Sequence, residues 1–115
     1  DAINPAWMRE AVLELKQFGK PIYVTESGIA TEDDEFRQRF LKDILAEVGT
    51  AIEEGADVRG FYHWTSIDNF EWAHGYRMKF GLFAVDRKTL ERTPKPSSSL
   101  YARIAQANAL PEAAD

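Results

Sequence analysis

Apolar residues fall at helical spacing in three stretches, with short unbroken apolar runs between them. Met8, Val12, Leu15 and Phe18, with Leu13, follow Asn4-Pro5, a pair that reads as N-cap and first-turn proline; Gly19 stands where that helix would end. Lys20-Pro21 leads into Ile22-Tyr-Val-Thr25, a β-rich run of the kind that suits a strand buried on both faces of a parallel sheet. Thr31-Glu-Asp-Asp34 has the form of a capping box, and its acids suit a helix N-terminus. Phe36, Phe40, Ile44, Val48 and Ile52 then repeat every four residues, widened by Leu41 and Leu45 and closed by Gly55. Val58-Arg-Gly-Phe-Tyr-His-Trp64 reads as a second strand and Gly81 to Asp86 as a short extended run. Thr93 to Ser99 reads as a turn and cap, and Leu100 to Ala107 as a last helix with Leu100, Ile104 and Ala107 on one face.

Helix, strand, helix, strand, helix makes two β-α units of a parallel sheet. Two strands leave a parallel sheet with an open edge, so the expected fold is α/β, part of a (β/α)8 barrel of about 250 residues. Residues 1–110 are expected to form the C-terminal segment of that barrel, and 111–115 a frayed tail.

Composition narrows the function. With 115 residues and 44% hydrophobic content the chain reads as globular. Its net charge of −5 gives no support to nucleic-acid binding, and no apolar run approaches the roughly 20 residues of a membrane helix. The absence of cysteine removes disulfides, thiolate nucleophiles and cysteine metal sites. The first residues lack the basic and apolar regions of a secretory signal, so the expected compartment is the cytoplasm. They also lack an initiator methionine, so that end is expected to be a cut.

Candidate chemistry concentrates at the ends of the two strands, where α/β folds place their sites. Glu26 closes the first, with Gly28 two residues on, a position that lets backbone approach a ligand closely. On position alone such a glutamate serves equally as a helix cap, an ion-pair member or a solvated loop residue. Trp64 and Trp72 flank Asp68, Asn69 and Glu71, dense polar decoration for a core segment. Indole faces beside a carboxylate suit a sugar, whose C–H faces lie on rings and whose hydroxyls donate to the acid. His63, Asp68, Glu71 and His74 have no HExxH or comparable spacing, so no metal and no cofactor is expected; His63 should face away from Trp64 and pack under a helix. Lys42, Arg77, Lys79 and Arg87 read as solvated surface charge.

These residues resemble a known family. Tyr23-Val-Thr-Glu-Ser-Gly28 is similar to the Tyr-x-Thr-Glu-Asn-Gly signature of family 1 glycoside hydrolases, the β-glucosidase and β-galactosidase group. Arg59-Gly-Phe-Tyr-His-Trp64-Thr-Ser66, Asp68-Asn-Phe-Glu-Trp72, Gly75-Tyr76, Lys79-Phe-Gly-Leu82, Val85-Asp86 and Pro94-Lys-Pro-Ser97 follow in the family's order, and the similarity runs from about residue 5 to 108. It implies a (β/α)8 barrel to which this chain supplies strands seven and eight. It further implies Glu26 as catalytic nucleophile and Trp64 as the platform beneath the sugar. Glu71 would accept two sugar hydroxyls, with Trp72 beside it and Phe80 near the exocyclic carbon. A glutamate at 71 would repel a phosphate, which places the resemblance with the non-phosphorylated branch. Ser27 stands where the family usually has asparagine.

The family's acid/base glutamate sits in a Thr-x-Asn-Glu-Pro segment that is not present in these 115 residues. The resemblance therefore implies a retaining β-glycosidase acting on β-linked glucosides or galactosides, completed by an N-terminal polypeptide that carries strands one to six and the proton donor. The alternative is a non-catalytic half-barrel fragment or sugar-binding module, inactive alone. A metal-dependent hydrolase rests on two histidines only.

Overall fold

A computed structural model describes residues 4–112. Residues 113–115 of the expected tail lie outside the described residues. Helix α1 (Ala6–Lys16) is followed by strand β1 (Ile22–Ser27), helix α2 (Asp34–Glu53) and strand β2 (Val58–His63). A single 3₁₀ turn (Trp72–His74) then precedes strands β3 (Phe83–Val85) and β4 (Arg92–Pro94) and helix α3 (Pro96–Ala107). β1 and β2 pair in parallel, and β3 and β4 form a separate antiparallel ribbon. No helix among the described residues is long and apolar enough to cross a membrane.

The helices bury the stripes their spacing predicts, up to the limit of what they pack against. Met8 and Val12 of α1, Phe40, Ile44, Val48 and Ala51 of α2, and Ile22 of β1 form the main cluster, with Ala56 at its edge. Leu41, Leu100 and Ile104 form a second cluster between α2 and α3, and Phe61 packs against both. Leu15, Phe18 and Ile52 lie on the expected stripes yet are exposed. Phe18 falls beyond the end of α1 at Lys16, and among the described residues α1 packs chiefly against α2 and β1.

The sheet is covered on one face only. Ile22 and Val24 turn toward the helices, whereas Tyr23 and Tyr62 are each more than half exposed on the other face, at 52% and 57%. The run around Tyr23 is thus not buried on both sides among the described residues, because no strand or helix lies over that face. The start of α2 also differs from the capping-box pattern. Asp33, not Thr31, is the N-cap, its Oδ1 accepting from Phe36 N at 3.1 Å, while Thr31 Oγ1 accepts from Asp33 N at 3.0 Å. Asp34 turns instead toward α3 and Arg37: Ser97 donates to it from N at 2.8 Å and from Oγ at 2.7 Å, and Arg37 Nη1 donates at 2.9 Å. That pairing locks the N-termini of α2 and α3 together.

Strand β3 falls within the extended run expected from Gly81 to Asp86, whereas its partner β4 does not follow from the sequence pattern. Thr93 and Pro94 fall in the stretch that reads as a turn and cap; with Arg92 they form a strand because Val85, Ala84 and Phe83 pair with Arg92, Thr93 and Pro94.

Candidate active site

The site begins with an irregularity in β1. From Val24 to Ser27 this strand advances three positions, while its partner advances two, from Phe61 to His63. The extra residue is a bulge at Thr25-Glu26, so both side chains are exposed in succession instead of alternating. Bulges beside active sites re-aim a side chain in this way. Ser27 then rejoins the ladder, its carbonyl accepting from Trp64 N at 2.8 Å. That bond sets the two strand ends side by side.

Gly28 lines the cleft and also carries a constraint that its position alone does not reveal. A Cβ built there would lie 1.9 Å from the Trp64 carbonyl oxygen, so the absent side chain makes room for the neighbouring strand end. The Trp64–Thr65 peptide is cis.

Beyond Trp64 the chain makes a long excursion and returns at Phe80. Its tip is closed by Glu71 N donating to Gly75 O at 2.7 Å and His74 N donating to Glu71 O at 2.8 Å. Trp72 sits at the start of the 3₁₀ turn with φ +44° and is 82% exposed. A tryptophan in the left-handed region costs about 1–3 kcal/mol, a strain that tends to collect at ligand sites. The polar residues of this segment divide sharply. Asp68 is buried beneath the loop, its Oδ1 accepting from Gly81 N at 2.8 Å and from Lys95 Nζ at 3.0 Å. Asn69 Nδ2 donates to Ile67 O at 3.1 Å. Both hold the loop's own backbone, and Glu71 is left for the cleft.

Glu26, Trp64, Glu71, Trp72 and Phe80 all line one open cleft of about 550 Å³ at the carboxyl end of the parallel strands, together with Ser27, Gly28 and Trp7. Two carboxylates therefore share an aromatic-walled space. Such walls take the C–H faces of a sugar ring, and the acids accept from its hydroxyls.

His63 points away from the cleft as its alternation with Trp64 predicts, its ring tilted against Tyr101 of α3 at 6.0 Å. Arg87 is exposed, as expected, yet not idle. Its guanidinium lies 4.2 Å from the centre of the Tyr76 ring and donates to the Asp68 carbonyl, pinning the loop from outside.

Two residues escaped sequence reasoning. Trp7 occupies the first turn of α1, and helix N-termini in β-α units lie at the same end as the strands' carboxyl ends, which was the available signal. Arg37 is fully buried, donating from Nη2 to the carbonyls of Thr31 and Lys79. Its spacing to Leu41 and Ile44 puts it on the apolar stripe of α2, a place where an arginine needs dedicated partners.

Two groups beneath the site give it an acid limit. Burial alone would raise the Asp34 carboxyl, but the Ser97 hydroxyl and amide and the Arg37 guanidinium outweigh it and hold the group below 3.8. Its stabilisation is present above 3.8 and lost as pH falls through the lowered folded value. Burial pushes His63 below 6.5, opposed by the Phe80 carbonyl and reinforced by nearby Arg37 and Lys95. The unfolded chain therefore takes up a proton at His63 first, and stability falls as pH drops from 6.5 toward the lowered folded value. Both slopes have the same sign. Thermal midpoints measured across acid pH should decline steadily below 6.5, and His63→Phe should flatten the upper part of that decline.

Two parallel strands flanked by helices, with a cleft at their carboxyl ends, form part of a (β/α)8 barrel. Residues 2–110 match the family described as glycosyl hydrolase family 1, and the chain belongs to it. A β-galactosidase of Pyrococcus woesei is 39% identical over 107 residues, 92% of this chain and 21% of its own length. β-Glucosidase 4 of Oryza sativa subsp. japonica is 44% identical over 102 residues, 77% of this chain and 21% of its own length. The solved structure of a β-glycosidase from Pyrococcus horikoshii superposes with a TM-score of 0.94 at 40% identity, covering 96% of this chain and 26% of that one. The chain thus spans about a fifth of the length of the curated relatives it matches.

Proposed function

We propose that this chain supplies the nucleophile and the sugar-binding wall of a retaining β-glycosidase that hydrolyses β-glucosides or β-galactosides. The observation that carries the reading is the gathering of Glu26, Trp64, Glu71, Trp72 and Phe80 on one cleft. The relatives' β-galactosidase and β-glucosidase names support the substrate class.

In this reading the Glu26 carboxylate attacks the anomeric carbon. The bond to the aglycone oxygen breaks as a second carboxylic acid protonates that oxygen, leaving a glycosyl ester on Glu26. Water activated by the same second group then hydrolyses the ester. Trp64 lies beneath the ring, and Glu71 accepts from two hydroxyls. Trp72 and Phe80 close the sides, and Trp7 adds a third indole to the wall.

Glu71 is poorly suited to be the proton donor, because a charged acceptor that binds hydroxyls has no proton to give. The donor, which in a retaining enzyme stands roughly 5 Å from the nucleophile, is therefore assigned to an N-terminal polypeptide that completes the barrel. The test is hydrolysis of an aryl β-glucoside by this chain alone and by the chain combined with a polypeptide carrying strands one to six. The expected result is turnover only in the combination. Turnover by the isolated chain would place a proton donor within these 115 residues and sink this division of labour.

A further inference from the structure

Three successive carbonyls at the return of the cleft loop are each held by a side chain from a different part of the chain. Arg37 of α2 donates from Nη2 to Lys79 O. His63, the last residue of β2, brings Nε2 to 3.3 Å from Phe80 O. Lys95, just before α3, donates from Nζ to Gly81 O at 2.8 Å. Backbone donors reinforce two of them, Thr31 N on Lys79 O at 3.0 Å and Thr65 N on Phe80 O at 3.3 Å. Asp68 closes the third clamp by accepting from both Gly81 N and Lys95 Nζ.

The middle residue of the three, Phe80, is the one whose side chain lines the cleft. A carbonyl only accepts, so its bond assigns the proton of His63 to Nε2, and Nδ1 is left buried with no partner among the described residues. Arg37 is fully buried, and the Lys95 side chain is only 15% exposed. Taking two cations and an imidazole out of water is costly, and neutral donors or water would satisfy three loop carbonyls at less expense. What such clamps add over water is a fixed position.

Resting on the glycosidase reading above, we infer that Arg37, His63 and Lys95 are positioning residues that fix the Phe80 ring in the cleft and so set discrimination at the sugar's exocyclic carbon. None of them touches the sugar. Each acts through one backbone carbonyl of 79–81, and a loosened clamp lets the ring withdraw from the group it borders.

The test compares an aryl β-glucoside with an aryl β-xyloside, which lacks the exocyclic carbon, in the complete barrel. His63→Phe keeps a ring against Tyr101 but removes the donor, whereas His63→Gln restores a donor and loses the ring. With His63→Phe, and with Lys95→Met, the ratio of kcat/KM for glucoside to that for xyloside is expected to fall about tenfold, with His63→Gln recovering most of it. A parallel fall for both sugars, an unchanged ratio, or a His63→Gln variant as indiscriminate as His63→Phe would overturn the inference and leave these residues a purely structural role. Should Lys95→Met fail to assemble, the two His63 variants carry the comparison unaided. Failure of the underlying glycosidase reading looks different: the unaltered barrel would hydrolyse neither sugar.

Discussion

Glu26→Gln in the complete barrel should lower kcat for an aryl β-glucoside by about four orders of magnitude, on the order of 5 kcal/mol of activation free energy. The amide keeps the length and volume of the side chain but is neutral and a poor nucleophile, so the glycosyl ester of the proposed mechanism would not form. Stability should change little. Glu26 is exposed at the bulge of β1, and none of the ion pairs among the described residues includes it. Sugar binding should persist, because Trp64, Glu71 and Phe80 line the cleft from other segments. Steady-state rates and the mass of the trapped glycosyl-enzyme provide the measurement. A rate within tenfold of the unaltered protein would move the nucleophile to another residue.

The second large effect is on stability. Arg37→Met is expected to cost about 3–5 kcal/mol, the range found when one partner of a buried ionic pair is removed. Methionine fills much of the volume but donates nothing. Asp34 would lose its cation, and the carbonyls of Thr31 and Lys79 would lose the side-chain donor that joins them. Asp34 would retain the two bonds from Ser97, which is why the loss should stay at the scale of one broken pair. Urea unfolding of the complete barrel measures it. A change under about 1 kcal/mol would mean that the guanidinium contributes no more than a surface pair does.

The two effects separate because they sit on different layers. Glu26 stands exposed at the solvent side of the strand end. Arg37 lies beneath, where a charge is tolerated only with three acceptors around it. Asp68 belongs to this lower layer as well. It looked like part of the ligand-binding decoration because it shares a short segment with Glu71 and two tryptophans. Its burial and its pairing with Lys95 make it a support.

Most of the local structure was legible in the chain. Periodicity placed three helices, since an apolar stripe at helical spacing has one way to be buried. The two parallel strands were readable from short β-rich runs ending in polar loops, and the cleft residues from the motifs at those ends. Glu26, Trp64, Glu71, Trp72 and Phe80 line one cleft, because each follows directly from a strand end or from the loop leaving it. Ser27 shows the limit of motif reading: it departs from the usual asparagine, yet its carbonyl still fixes Trp64, since that bond uses backbone alone.

Spacings of a few positions along the chain specify three helices and two parallel strands, and the motifs of the family resemblance pick out Glu26, Trp64, Glu71, Trp72 and Phe80, whereas Trp7 and strand β4 are not marked there. Tertiary structure alone decided which polar groups would meet beneath the cleft. Arg37 and Lys79 are 42 positions apart, Asp68 and Lys95 are 27 apart, and Asp34 and Ser97 are 63 apart. It also decided that Gly28 serves the Trp64 carbonyl, that Arg92 to Pro94 is a strand, and that Thr31 cedes the cap of α2 to Asp33. The physical reason is common to all of these. A buried charge or an unpaired backbone group is satisfied by whatever the fold brings within about 3 Å, and no pattern along the chain records that partner in advance.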